Sequence, residues 1–109
     1  MVLLEFLSQG GLTMYARLTL FTLGPGTRST AESLADEMIP KVKAQKGFKD
    51  ISFLMDAETG EYGAFILWES KENAEAAKEA LFPVLLSKIG GIVKSPPTLK
   101  LFEVYEPKA

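Results

Sequence analysis

Apolar and polar residues alternate along four stretches of the chain and recur at helical spacing along two others. Tyr15 to Leu23 (YARLTLFTL) reads as a first strand, stopped by Gly24-Pro25-Gly26. Ser29 and Glu32 have capping-box spacing, so the Ser29 hydroxyl is expected to open a first helix. Leu34, Met38 and Val42 then recur every fourth residue, with Ala31 and Ala35 beside them, and predict one buried face. Pro40 should kink this helix, and Gly47 is placed to follow its end in a left-handed conformation. Phe48 to Asp56 and Glu61 to Glu69 predict a hairpin closed by Ala57 to Gly60. Ser70 can cap an alanine-rich helix running from Lys71 to about Ile89, bent by Pro83 and ended by Gly90-Gly91. Thr98 to Tyr105 is the last strand.

The order β-α-β-β-α-β predicts a ferredoxin-like α+β domain. Its four-stranded antiparallel sheet would carry both helices on one face, because βαβ crossovers are right-handed. The domain is expected over residues 14–109. Residues 1–13, jointed at Gln9-Gly10-Gly11, read either as an N-terminal extension or as a short edge strand.

A sheet with one wet face should alternate cleanly, and these strands do not. In the third, Tyr62, Ala64, Ile66 and Trp68 oppose Phe65 and Leu67; in the first, Ala16, Leu18 and Leu20 oppose Thr19, Phe21 and Leu23. The helices can cover only one side, so a homodimer packed sheet to sheet is expected to cover the other. Strands one and three should be antiparallel neighbours. Pairing Phe21 with Phe65 and Thr19 with Leu67 sets Arg17 opposite Glu69, and puts all six on the expected dimer face.

Composition narrows the chemistry. The 109 residues suit one domain, and a net charge of −2 gives no footprint for nucleic acid or an anionic membrane surface. Neither cysteine nor histidine occurs, which excludes thiolate and imidazole chemistry, disulfides and proximal histidine ligands. The lack of cysteine fits a reducing cytoplasm. Met1 to Leu7 is apolar but short, with Glu5 inside it, and reads poorly as a signal peptide. No stretch approaches a membrane span. Asp56, Glu58 and Glu61 crowd the hairpin turn, where a solvated turn is favoured over a cation site, so no metal is expected.

The string MYARLTLFTLGPG, the segment IPKVKAQKGF and the hairpin LMDAETGEYGAFILWES, followed by an alanine-rich helix, together resemble the antibiotic biosynthesis monooxygenase-like (ABM) domain family over Met14 to about Tyr105. The resemblance implies a dimeric α+β barrel. It also implies one of several activities: cofactor-independent oxygenation of aromatic phenols, quinol oxygenation or haem degradation. The haem-degrading pattern of asparagine, tryptophan and histidine would fall on Ala16, Ala77 and Ser87, so that activity is disfavoured. The cofactor-independent pattern pairs an asparagine with a tryptophan on strand three. Trp68 matches, while Ala64 stands where the asparagine belongs.

A pocket is expected between sheet and helices, lined by Leu18, Tyr62, Ile66 and Trp68 from strands and by Met38, Asn73 and Ala77 from helices. Trp68 could stack on a planar apolar or aromatic ligand, Tyr62 could exchange a hydrogen bond with a phenol, and Asn73 could orient a carbonyl. Each also has an ordinary structural reading: Trp68 as a core aromatic, Tyr62 as a hairpin anchor and Asn73 as a first-turn helix residue that hydrogen-bonds locally. Two functions follow: a cofactor-independent monooxygenase of an aromatic or quinol-type molecule, or a non-catalytic ligand-binding or stress-associated module. A cavity of about 300 Å³ or more with convergent polar groups would favour the first.

Overall fold

The computed structural model describes residues 13–108, so the segment expected as an extension lies, apart from Thr13, outside the described residues. The elements follow in the expected order: β1 (Tyr15–Thr22), α1 (Arg28–Lys43), β2 (Phe48–Asp56), β3 (Glu61–Trp68), α2 (Lys71–Ile89) and β4 (Thr98–Glu103). The sheet is antiparallel throughout, with strand order β2-β3-β1-β4. The two neighbours expected at its centre are there.

Local chemistry accounts for most boundaries. Ser70 caps α2, its hydroxyl accepting the Asn73 N–H at 3.0 Å. Gly47 has φ +84°, as its position after α1 requires. Gly60, at φ +76°, closes the hairpin turn so tightly against the backbone of Gly24 that it has no room for a Cβ. Its carbonyl accepts the Leu23 N–H at 2.8 Å, which pins the end of β1 to the hairpin. Pro40 and Pro83 lie inside α1 and α2, on exposed positions, and neither interrupts its helix.

The expected capping box does not form. Helix α1 begins at Arg28 behind Thr27, which places Ser29 inside the first turn. Glu32 instead accepts from Arg28 Nε at 2.9 Å, one turn away.

Both helices pack on the same side of the sheet, as expected. Their buried residues fall into two clusters. Phe21, Leu34, Met38, Tyr62, Leu85 and Ile89 anchor the first. Val42, Ile66, Trp68, Ala74 and Ala77 form the second, where small helical residues make room for the indole. Lys88 Nζ lies 3.0 Å from Glu37 Oε1 and ties the two helices together at the surface.

Candidate functional site

A cavity of about 210 Å³ takes its walls from both core clusters, which Leu81 joins. The inward-facing residues of three strands floor it. On β1 these are Arg17, Thr19 and Phe21; on β3, Tyr62, Ala64, Ile66 and Trp68; on β2, Ile51, Phe53 and Met55. Helix α1 roofs it with Leu34 and Met38, and α2 with Ala74, Ala77 and Leu81. Phe53 and Met55 are about two-fifths exposed, at 40% and 39%, and Glu32 and Asp36 on the facing rim are exposed too. The cavity therefore opens between β2 and α1. It falls short of the ~300 Å³ typical of drug-sized sites, yet exceeds the ~150 Å³ that holds benzene in an engineered core.

Apart from Thr19 in the floor and the exposed Glu32, Asp36 and Lys78 at the rim, the walls are apolar except at two ends. At one end stands Tyr62, 3% exposed, with its hydroxyl 3.1 Å from Thr27 Oγ1. The Thr27 hydroxyl gives its single proton to the Gly24 carbonyl at 2.6 Å. Tyr62 must therefore be the donor to Thr27, which leaves its oxygen free to accept. Tyr62 faces Phe21 across the sheet, with ring centroids 6.4 Å apart.

At the other end stands Arg17, four residues back along β1 and so about 13 Å away at strand spacing. Its side chain is 9% exposed, and Nη2 reaches Glu75 Oε1 at 3.4 Å, a long contact to a half-exposed carboxylate. Nε of Arg17 is buried and has no hydrogen-bond partner among the described residues. Trp68, 1% exposed, lies beside it, one diagonal step across the β1–β3 ladder. The Phe48 ring holds the indole edge-on, at 6.1 Å between centroids and 80° between planes.

Five of the seven expected pocket residues line this cavity: Trp68, Tyr62, Ile66, Met38 and Ala77. Leu18 and Asn73 do not. Leu18 pairs with Phe65 and turns to the opposite face of the sheet. Asn73 is held at the start of α2, where its Oδ1 accepts from the Ser70 hydroxyl at 2.9 Å and its side chain fills the space beside Gly47.

The expected β1–β3 register is also corrected. Phe21 pairs with Tyr62 and not Phe65, Thr19 with Ala64 and not Leu67, and Arg17 with Ile66 and not Glu69. The slip of three positions (Phe65 to Tyr62) is odd, so it turns every β1 side chain to the other face. Arg17, Thr19 and Phe21 therefore leave the expected dimer face and enter the cavity. Ala16, which the family alignment set at an asparagine position, points outward, and Arg17 takes the inward place.

The outer face keeps Phe65 and Leu67, joined by Leu18 and Leu20 from β1, Leu54 from β2 and Phe102 from β4. Glu69 lies just past the end of β3 and is exposed. Phe65, Leu54 and Phe102 are exposed at 39%, 37% and 48%, while Leu18, Leu20 and Leu67 are half-buried.

At the hairpin turn, Asp56 Oδ1 accepts the Glu58 and Thr59 N–H groups at 3.2 and 3.4 Å, as a turn-forming aspartate does. Among the described residues no His, Cys, Asp or Glu side chains cluster as a metal site would need, and no helix is long and apolar enough to cross a membrane.

No family sequence model matches the chain, and no curated protein matches it in sequence. Solved structures do match its backbone. A candidate antibiotic biosynthesis monooxygenase from Nitrosomonas europaea superposes with TM-score 0.74 at 11% identity, over 90% of this chain and 96% of that one. A monooxygenase from the gene ActVA-Orf6 of Streptomyces coelicolor, in complex with nanaomycin D, gives 0.69 at 15% identity, over 92% and 94%. SnoaB, a cofactor-independent oxygenase from Streptomyces nogalater, seen as an asparagine-to-alanine variant, gives 0.70 at 16%, over 88% and 97%.

The chain has the fold of the antibiotic biosynthesis monooxygenases. Within that monooxygenase fold, sequence reasoning had found the β3 wall of the cavity and missed its β1 wall. The signal for the missed wall was Arg17 itself, a charge set in an otherwise apolar and threonine-rich strand.

Proposed function

We propose that this protein belongs with the ABM-like proteins and binds a small planar aromatic or quinol-type molecule in the cavity beside Trp68, which it oxygenates without a resident cofactor. The observation that carries this reading is an apolar cavity walled by Trp68 and Tyr62 inside a monooxygenase fold. Such chemistry needs a substrate whose ionised form gives an electron to O₂. Recombination at the ring carbon then forms a C–O bond and a hydroperoxide. Where that carbon carries a second hydrogen, loss of water leaves a ketone: a CH₂ and O₂ become C=O and H₂O. The protein's part is to hold the ring, exclude water and stabilise the developing oxyanion.

The second reading, binding without catalysis, is supported by Ala64, which lines the cavity where an asparagine was expected, and by a cavity volume of about 210 Å³, short of the ~300 Å³ that would favour the first. Aerobic incubation with hydroquinones and polyphenols, following oxygen uptake and product mass, separates the two. Turnover that falls at least tenfold in Trp68→Phe is expected. No turnover above buffer, with ligand still bound, would leave only the binding module.

We also propose that a second copy covers the outer face around Phe65, Leu67 and Phe102. Apolar surface of this kind is normally an interface. Sedimentation at micromolar concentration should return twice the monomer mass.

A further inference from the structure

Arg17 has no explanation in the packing of the fold. Its neighbours across the sheet are Ile66 on β3 and Leu101 on β4, so the guanidinium is set in an apolar wall. Its side chain is nine-tenths buried; among the described residues its one ion pair is a 3.4 Å contact to a carboxylate that is 47% exposed, and its Nε donates to none of them. A buried charge is normally paired closely and fully hydrogen-bonded, because removing it from water without compensation is strongly unfavourable. The remaining charged residues of the cavity wall, Glu32, Asp36 and Lys78, differ: they are exposed, and Glu32 is already held by Arg28.

We propose that Arg17 is the anion-recognition residue of the cavity, and that the ligand binds as an oxyanion carried on a flat ring, a carboxylate or a phenolate. This rests on the cavity being a ligand site and names the class of ligand it takes. The placement fits the role. Trp68 lies one diagonal step from Arg17, about 7–8 Å across an antiparallel ladder, so a ring packed on the indole brings its substituent to the part of the guanidinium that lines the cavity. The other polar end cannot do this. Tyr62 has spent its proton on Thr27 and offers only an acceptor, which suits a neutral hydroxyl at the far end of the ligand.

The test uses two matched pairs of probes with the intact protein in mildly alkaline buffer: 2-naphthoate against 2-naphthamide, and 4-nitrophenolate against 4-nitroanisole. Binding is read by titration calorimetry, with the emission of Trp68, the sole tryptophan, alongside. A hydrogen bond to a charged group is worth about 1.5–3 kcal/mol, so the anion of at least one pair should bind roughly 10- to 100-fold tighter than its neutral partner. Which pair shows the preference tells carboxylate from phenolate. Arg17→Met should abolish the preference and leave the neutral probe bound. Glu75→Gln, at a half-exposed position, removes the competing carboxylate and should tighten the anion several-fold without moving the neutral probe. Equal affinity within both pairs, a preference that survives Arg17→Met, or weaker anion binding in Glu75→Gln overturns the assignment while the cavity stands. Failure of all four probes to bind overturns the ligand site, and the assignment with it.

Discussion

Ala64 is the position at which stability and ligand binding should part company. It sits on the central strand β3, between Thr19 and Phe53 in the ladder, with its Cβ directed into the cavity. Replacing it with leucine adds three carbons to empty space. At about 0.8 kcal/mol per buried carbon the gain is about 2.4 kcal/mol. Ordering the new side chain takes back roughly 0.5–1 kcal/mol. The net, about 1.5 kcal/mol, is within the range of cavity-filling substitutions and should raise the melting temperature of a domain this size by roughly 6–12 °C. The same side chain occupies the floor on which a ring would lie, so 2-naphthamide binding should be lost. Thermal unfolding by circular dichroism and calorimetry of the same sample read both effects. A melting temperature lowered by several degrees would mean that the space is already filled, since overpacking a closed core costs about 1–3 kcal/mol. Unchanged ligand affinity in a stabilised variant would place the ligand elsewhere.

Gly60→Ala should lower stability by at least ~1–2 kcal/mol, the penalty for an L-residue in the left-handed region, with more from its collision with the Gly24 backbone; an unchanged melting temperature would refute the tight Gly24–Gly60 contact. Ser70→Ala removes the α2 cap and should cost about 1 kcal/mol, seen as a shift in the denaturant midpoint without a change in slope. Phe65→Glu places a charge on the outer face and should shift sedimentation from dimer toward monomer at micromolar concentration, leaving 2-naphthamide affinity within about twofold, because the cavity lies on the other side of the sheet.

Much of the fold was legible because local signals agreed. Strand β2 and helix α2 have the ends that Gly47, the hairpin turn, Ser70 and Gly90 foretell. That β1 and β3 are neighbours was legible, but the register between them was not. Both strands are apolar on both sides, so alternation cannot choose a face, and a plausible charge pair between Arg17 and Glu69 favoured the wrong register. The actual register is fixed by the junction of Leu23 with Gly60, two turns that are distant in sequence and whose meeting leaves no trace in either. The site inherited that ambiguity. The residues of β3 were assigned to their proper face, whereas those of β1 were exchanged, Leu18 for Arg17. Thr27 was missed as the start of α1 because its hydroxyl is committed to Gly24 and Tyr62, and makes no cap of its own.

Strand β2 is an edge strand, and its inward-facing Phe53 and Met55 remain wet. On the proposed ligand role, a guest would enter past this sheet margin without a hinge to swing or a segment to melt. Rapid-mixing traces should then be single exponentials whose rate climbs in proportion to guest concentration, without the plateau that a slow gate imposes.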